Sequence, residues 1–372
     1  MQRFAALIQH GLESSGVEVR TIKPEPFFGR LREREYGIGK WLGYLDKFML
    51  FPPKIRKAVQ WADVVHICDH SNGFYTKHAA GKPCLLTCHD LLAIRSGLGE
   101  DTDCPISYTG KVLQKWIFSG LPHATWIVNV STYTQNDLRR LAGDEVAGRS
   151  SVILQGLNQP FCQLEPQEAK ARLEGVLDLS QPFLLCVGRN SLRKNRRGML
   201  RLLKELKGRW TGKLVIAGEP MDKMHRNLMH SLGVQDQVIE VIKPSDQVLE
   251  ALYNTAHALL FISSFEGFGW PVIEAQACGC PVISSDRTSL PEVAGEGAII
   301  CPLEDTASMA QAVIALEDES TRAGIIDKGL INVERFKTQR MINDYIDTYR
   351  SLMHAKHEQG SSRPSNVAAS SA

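Results

Sequence analysis

The strongest constraint on this chain is an alternation. Short runs rich in Val, Ile and Leu recur with gaps just long enough for a helix, and they fall into two successive sets. The first set covers residues 17–22, 63–67, 84–87, 125–130 and 152–154. The second covers residues 183–187, 213–217, 238–242, 258–262, 281–284 and 298–301. Strands joined by helical crossovers pair in parallel and are covered on both faces, so the expected fold class is α/β, with two Rossmann-like domains in tandem. At ~150 residues per domain, 372 residues fit that count. Gly156-Leu157-Asn158-Gln159-Pro160 is a natural hinge, and residues 167–174 have the pattern of a short linking helix. The expected division is therefore 1–160 and 161–337. Near residues 338–354, Met341, Tyr345, Tyr349 and Met353 recur at helical spacing and give one helix, 338–357, an apolar stripe. Beyond it the composition turns to Gly, Ser, Pro, Asn and Ala, so residues 358–372 are expected to be disordered.

Composition removes several classes of function. Lys+Arg of 43 against Asp+Glu of 41 leaves +2, without the basic excess that grips a nucleic-acid backbone. No apolar run reaches the ~18–20 residues of a membrane span, and the first ten residues lack a signal-peptide core and a cleavage site. The expected location is the cytoplasm, with the inner face of the membrane open. Nine cysteines, an odd number without C-x2-C pairs, read as reduced thiols. Cys84, Cys88 and His89 do not make a metal set, because strand alternation separates their faces and no fourth ligand is at hand.

The stretch from Ser264 to Pro281 carries the most chemistry. A strand ends near Ile262, a loop follows with Glu266, Gly267, Phe268 and Gly269, and Pro271 opens a helix bearing Glu274. Ligands of open α/β sheets sit at this edge. Backbone N–H groups around Gly267 to Gly269 can donate to hydroxyls or phosphate, and each carboxylate can accept from vicinal hydroxyls, as a sugar and a ribose require. A tight loop with a capping glutamate explains either carboxylate alone, but not both with this loop between them. A second element, Val187-Gly188-Arg189-Asn190-Ser191-Leu192-Arg193-Lys194-Asn195, sets bases where a strand passes into a helix. Fixed positive charge there suits a pyrophosphate; the plainer alternative is a solvated helix start that includes Arg196 and Arg197.

The Ser264–Pro281 stretch resembles the E-x7-E motif of retaining GT-B glycosyltransferases of family 4. The likeness continues through Ser289-Leu290-Pro291-Glu292-Val293-Ala294-Gly295, similar to an S-L-P-E-V-x-G segment, and spans most of residues 60–350. The resemblance implies a GT-B fold, two Rossmann-like domains facing a cleft, with the helix at 338–357 crossing back to the first domain. It assigns Glu266 to the donor's hexose hydroxyls, Glu274 to the nucleotide ribose, and Arg189 and Lys194, in a G-R…R-K-N segment, to the donor phosphates. His89-Asp90-Leu91 resembles the family's H-D-L segment, which places His89 near the transferred sugar; Asp90 has helix capping as its alternative. Val130-Ser131-Thr132-Tyr133-Thr134 is similar to V-S-x-x-T/S, and Ser131 either lines the cleft or caps a helix.

The implied activity is metal-independent, retaining transfer of a hexosyl group, mannosyl or glucosyl, from a nucleotide-diphosphate sugar to an acceptor hydroxyl. The expected partners are that donor and a glycan, lipid-linked or small-molecule acceptor, with no cofactor and no nucleic acid. The rivals are a sugar-nucleotide epimerase or hydrolase of the same architecture and a non-catalytic or truncated nucleotide-sugar-binding protein. Gly37-Ile38-Gly39-Lys40 lacks Walker spacing and reads as a loop. Residues 40–61, mixing Trp41, Tyr44, Phe48, Met49 and Phe51 with lysines and Arg56, suit a helix packed on the first sheet or one lying on a membrane surface. The family's opening strand and Gly-rich loop have no counterpart before Phe4, Leu7, Ile8 and Leu12. The first domain is therefore expected to lack its first strand, leaving a gap between two neighbouring strands.

Overall fold

The computed structural model describes residues 2–25, 27, 43, 45–79 and 81–361, excluding the side chains of Gln2 and 356–361. The loop at 37–40, Trp41 and Tyr44 lie outside the described residues. Helix α1 (Gln2–Ser14) forms because Phe4, Ile8 and Leu12 share one face, and all three are buried. After a π-helical turn (Asp46–Leu50), α2 (Phe51–Trp61) turns Phe51, Ile55 and Val59 into the core of the first domain, so this part of 40–61 packs on protein.

The first sheet holds β1 (Val65–Ile67), β2 (Cys84–Cys88), β3 (Trp126–Asn129) and β4 (Ser150–Val152), all parallel and in that order, with Leu85 opposite Trp126 and Cys88 opposite Asn129. A 3-10 segment (His70–His78) follows β1, α3 (Leu92–Leu98) and α4 (Tyr108–Phe118) follow β2, and α5 (Thr132–Ala147) follows β3.

Two expectations fail here. Residues 17–22 form no strand: Val17 and Ile22 are exposed, the Thr21 hydroxyl donates to Gln9 at 2.8 Å, and the Arg20 guanidinium lies 4.0 Å over the Trp61 ring. These side chains engage helices, and a strand needs a ladder partner for its own amides. The expected gap between two strands therefore does not arise. Among the described residues no strand precedes Val65, and the four strands are contiguous.

The second domain opens with α6 (Pro166–Arg172) and alternates β5 (Phe183–Gly188), α7 (Arg196–Leu206), β6 (Lys213–Gly218), α8 (Lys223–Leu232) and β7 (Val238–Ile242). It continues with α9 (Asp246–Thr255), β8 (Ala258–Phe261), α10 (Trp270–Ala277), β9 (Val282–Ser285), α11 (Leu290–Ala294) and β10 (Ala298–Cys301). Helices α12 (Thr306–Ala315) and α13 (Glu319–Val333) complete it. Its sheet order, β10-β9-β8-β5-β6-β7, reverses direction between β5 and β8, and the loops after those two strands bound the crevice where such sheets take ligands.

Helix α14 (Thr338–Ser361) leaves the second domain and packs on the first, burying Met341, Ile342, Tyr345, Tyr349 and Leu352 against Phe4, Ile8, Leu85 and Val128. It lies so close to α1 that a Cβ on Gly11 would stand 2.5 Å from Ile342 Cδ1. The Tyr345 hydroxyl is 3.0 Å from Thr87 Oγ1, and Tyr349 Oη is 2.8 Å from Nδ1 of His66, whose Nε2 reaches the same Thr87 oxygen at 2.8 Å. Burial, then the neighbouring His89, holds the His66 imidazole neutral with a pKa of about 3. The helix also runs past His357 to Ser361, where a tail was expected, because Ala355 to Gln359 are all good or tolerable helix formers; residues 362–372 lie outside the described residues.

Candidate active site

Six loops at the carboxyl ends of strands meet between the two sheets. After β5, Gly188 takes φ +128°, which only glycine adopts freely, and a Cβ there would stand 3.1 Å from Lys194 Cε. The chain then makes a 3-10 turn (Leu192–Lys194), and Asn195 caps α7 by accepting from the Gly198 amide at 3.1 Å. Lys194 is thereby turned inward. Its amine pairs with Glu266 Oε1 at 2.7 Å and lies 4.1 Å over the Phe261 ring. Arg193 joins it, donating from Nη1 to Glu266 Oε2 at 2.6 Å and to the Phe265 carbonyl at 3.0 Å. Burial alone pushes the Glu266 carboxyl up, but the Lys194 and Arg193 cations outweigh it and hold the group below the ordinary range. A buried carboxylate between two cations leaves one positive charge in excess at this sheet edge.

Arg189 is not brought to this cluster: its side chain is exposed and its Nε is 4.0 Å from Glu219. The helix start is not a solvated basic run either. Arg196 is fully buried and donates to the carbonyls of Gly188 at 3.0 Å and Glu219 at 2.9 Å, tying the ends of β5 and β6 together.

The loop after β8 is held from both sides. The Glu266 amide donates to Thr288 Oγ1 at 3.0 Å, and the Ser289 hydroxyl reaches the carbonyls of Glu266 at 2.9 Å and Phe268 at 2.8 Å. From the first domain, Ser131 donates to the Gly267 carbonyl at 2.7 Å and Thr134 at 3.2 Å. Ser131 also caps α5 by accepting from the Thr134 amide at 3.1 Å. A Cβ on Gly267 would overlap the His89 carbonyl oxygen, a backbone atom. Gly269, at φ +116°, starts α10, while the Phe268 ring packs into the core against Trp270 and Phe336, leaving only its backbone to the site.

Glu274, on α10, is buried and accepts from the Tyr253 hydroxyl at 2.8 Å. Burial raises its carboxyl to about 7, partly offset by that hydrogen bond. From the opposite wall, His89 follows β2. Its Nε2 is 2.9 Å from the Cys68 carbonyl, which can only accept, so Nε2 carries the proton and the buried, unpartnered Nδ1 presents a lone pair. Burial, against the Cys68 hydrogen bond, lowers its pKa to about 4, and Phe4 meets the ring edge-on at 4.8 Å. Its backbone amide donates to His70 Nδ1 at 3.3 Å. Asp90 Oδ1 accepts from the Leu92 amide at 3.1 Å, an Asx-type contact one residue before Leu91, the N-cap of α3.

Four contributors escaped sequence reasoning. Arg193 was hidden in a run of bases, and His70 in a short polar stretch. Tyr253 lies on a helix with no motif of its own. Glu292, inside the S-L-P-E-V segment, had no assigned role; it crosses the cleft to accept from the Thr132 amide at 2.9 Å, the Thr132 hydroxyl at 2.8 Å and the Tyr133 amide at 3.4 Å. Among the described residues there is no group of three His, Cys, Asp or Glu side chains placed to hold a metal ion. No described helix is long and apolar enough to cross a membrane.

Comparison with known proteins agrees with this architecture. The profile described as Glycosyltransferase Family 4 matches residues 1–158, and the profile described as Glycosyl transferases group 1 matches residues 168–330. The chain is 25% identical over 317 residues to the O-antigen chain mannosyltransferase B of Escherichia coli, covering 83% of this chain and 80% of that protein. It is 26% identical over 326 residues to the GDP-mannose:cellobiosyl-diphosphopolyprenol alpha-mannosyltransferase of Xanthomonas campestris, covering 82% and 79%. Among solved structures it superposes on Anabaena HepE in complex with UDP and glucose, with TM-score 0.70, 16% identity and 92% and 89% coverage. It also superposes on sucrose-phosphate synthase from Thermosynechococcus elongatus, with TM-score 0.67, 22% identity and 82% and 79% coverage. With two Rossmann-like domains meeting at a crevice lined by paired carboxylates and bases, the chain belongs to the group 1, family 4 glycosyltransferases of GT-B fold, nucleotide-sugar-dependent hexosyltransferases.

Proposed function

We propose that this enzyme transfers a hexosyl group, mannosyl as in the names of its two relatives above, from a nucleotide-diphosphate sugar to an acceptor hydroxyl, with retention and without a metal. The observation that carries the reading is the buried Glu266–Arg193–Lys194 cluster at the edge of the second sheet. In this reading Lys194 stabilises the departing diphosphate, together with Arg189 once its exposed side chain turns inward and with the amides of Gly267 to Gly269. Glu266 accepts from hexose hydroxyls and Glu274 from the ribose. The neutral His89 offers Nδ1 to the transferred sugar from the opposite wall, with Asp90 and Ser131 shaping that side. Charge develops on an oxocarbenium-like sugar as the diphosphate leaves, and the leaving phosphate takes the acceptor's proton on the same face.

The acceptor is a glycan, lipid-linked or small molecule, reached at the cytoplasmic face of a membrane; the Xanthomonas relative's diphosphopolyprenol acceptor supports the lipid-linked form. Incubation with nucleotide sugars and candidate acceptors, read by anomeric proton NMR, tests this reading. Retained configuration in the product is expected, with transfer reduced at least tenfold in Lys194→Ala. Donor hydrolysis, sugar epimerisation or binding without turnover across the donor panel overturns it.

A further inference from the structure

Helix α4 presents an unusual outer face. Tyr108, Val112 and Trp116 recur every four residues and are 81%, 55% and 41% exposed, while Ile117 on the other side is buried. A surface helix ordinarily reserves that spacing for the core. On the adjoining π-helical turn the partly buried Phe48 ring lies 4.7 Å from Trp116, and Met49 beside it is 66% exposed. Contiguous exposed apolar side chains of this size mark an interaction surface.

Charge identifies the partner. Lys111 and Lys115 flank the stripe one turn apart, and Arg56 and Lys57 are exposed on α2, which continues directly from the π-helical turn. Across residues 45–61 and 108–118 the only acid is Asp46, which is buried. Arg56 also joins Lys77 and Lys82 in lining a shallow basic depression. A chain whose overall charge is only +2 thus concentrates bases around one apolar stripe. A second copy of the chain docking here across a two-fold axis would set Lys111 and Lys115 against like charges, so self-association is disfavoured. An anionic bilayer satisfies both features, with apolar and aromatic side chains entering the headgroup layer and lysines reaching phosphates.

We infer that the α4 face docks the enzyme on an anionic phospholipid surface. The loop between α3 and α4 places Asp103 against Ser264 at the cleft, so the docking face adjoins the mouth of the crevice. This inference deepens the membrane element of the proposed function and rests on the remainder of it for nothing.

The test is sedimentation with sucrose-loaded vesicles of phosphatidylglycerol and phosphatidylcholine, using the full chain. Binding to mixed vesicles should exceed binding to pure phosphatidylcholine at least tenfold and weaken in 0.5 M salt, a screening length of roughly 4 Å. Tyr108→Ser with Val112→Ser, and separately Lys111→Glu with Lys115→Glu, should each lower it at least tenfold. Trp116 is left intact because its ring stacks on Phe74 at 4.7 Å. Both variants should keep wild-type circular dichroism and wild-type turnover of donor with a water-soluble acceptor. Wild-type protein that stays in the supernatant, equal binding to both vesicle types, or binding unchanged in both variants overturns the inference, as does a wild-type dimer that either variant dissociates. Loss of transfer with vesicle binding intact would strike the proposed function instead.

Discussion

Replacing Glu274 with Gln separates what this residue does to the fold from what it does for the donor. In the folded chain the carboxyl titrates at about 7 instead of 4.5, because burial opposes its ionisation and the Tyr253 hydroxyl offsets this only in part. Below pH 4.5 the group is protonated whether the chain is folded or not. Between 4.5 and 7 the unfolded chain releases the proton while the fold retains it, so stability falls as pH rises; above 7 the whole difference, about 3 kcal/mol, is present. A Gln at 274 has the same shape, can still accept from Tyr253, and does not ionise. The variant should exceed the wild type by about 3 kcal/mol at pH 8 but by only about 1 kcal/mol at pH 5. Urea unfolding of the two proteins at both pH values measures this, and calorimetry with the nucleoside diphosphate at pH 8 should show roughly tenfold weaker binding by the variant. A stability difference that is the same at pH 5 and pH 8, or a variant less stable than wild type at pH 8, would refute the reasoning.

Two further perturbations probe the contact between the domains. Gly267→Ala places a methyl group on the His89 carbonyl, which cannot move aside as a side-chain tip would, so the loop must draw back and transfer should fall at least ~100-fold; wild-type kcat/KM would show that the loop is not confined there. Glu292→Ala removes the cross-cleft cap and Thr132→Ala its hydroxyl contact alone, so their effects on kcat/KM should be non-additive by about 1 kcal/mol in a double-mutant cycle; strict additivity would mean that the hydroxyl contact does not form in solution.

The second domain was legible in outline because its strands are buried on both faces and read as unbroken apolar runs, such as Leu184, Leu185 and Cys186. The first was less so. Residues 17–22 alternate like a strand, yet a strand is made by its neighbour, and here the side chains of Arg20 and Thr21 find helices instead. At the candidate site, motif spacing singled out Glu266 and Lys194 in loops at strand ends and Glu274 in the helix that follows. It did not distinguish Arg189, which faces solvent, from the partly buried Arg193, because the 3-10 turn that holds Arg193 decides which way its side chain points. Nor does sequence indicate that Tyr253 and Glu274, 21 residues apart on different helices, share a hydrogen bond.

Helix α14 has a consequence for the order in which this protein is made. The first domain's core includes Met341, Tyr345 and Leu352, and Tyr345 and Tyr349 satisfy polar groups on β1 and β2. Its own last strand is finished at Val152, so a ribosome must add about 200 more residues, about 10–40 s of synthesis, before the missing face is available. The usual sequence, N-terminal domain first, is disturbed: the second domain can close around its own strands while Leu85, Val128 and Ile153 of the first have only Phe4, Ile8 and Leu12 of α1 to cover them. During that interval the nascent chain displays an apolar sheet face, and its demand for chaperones falls on the half that emerges earliest.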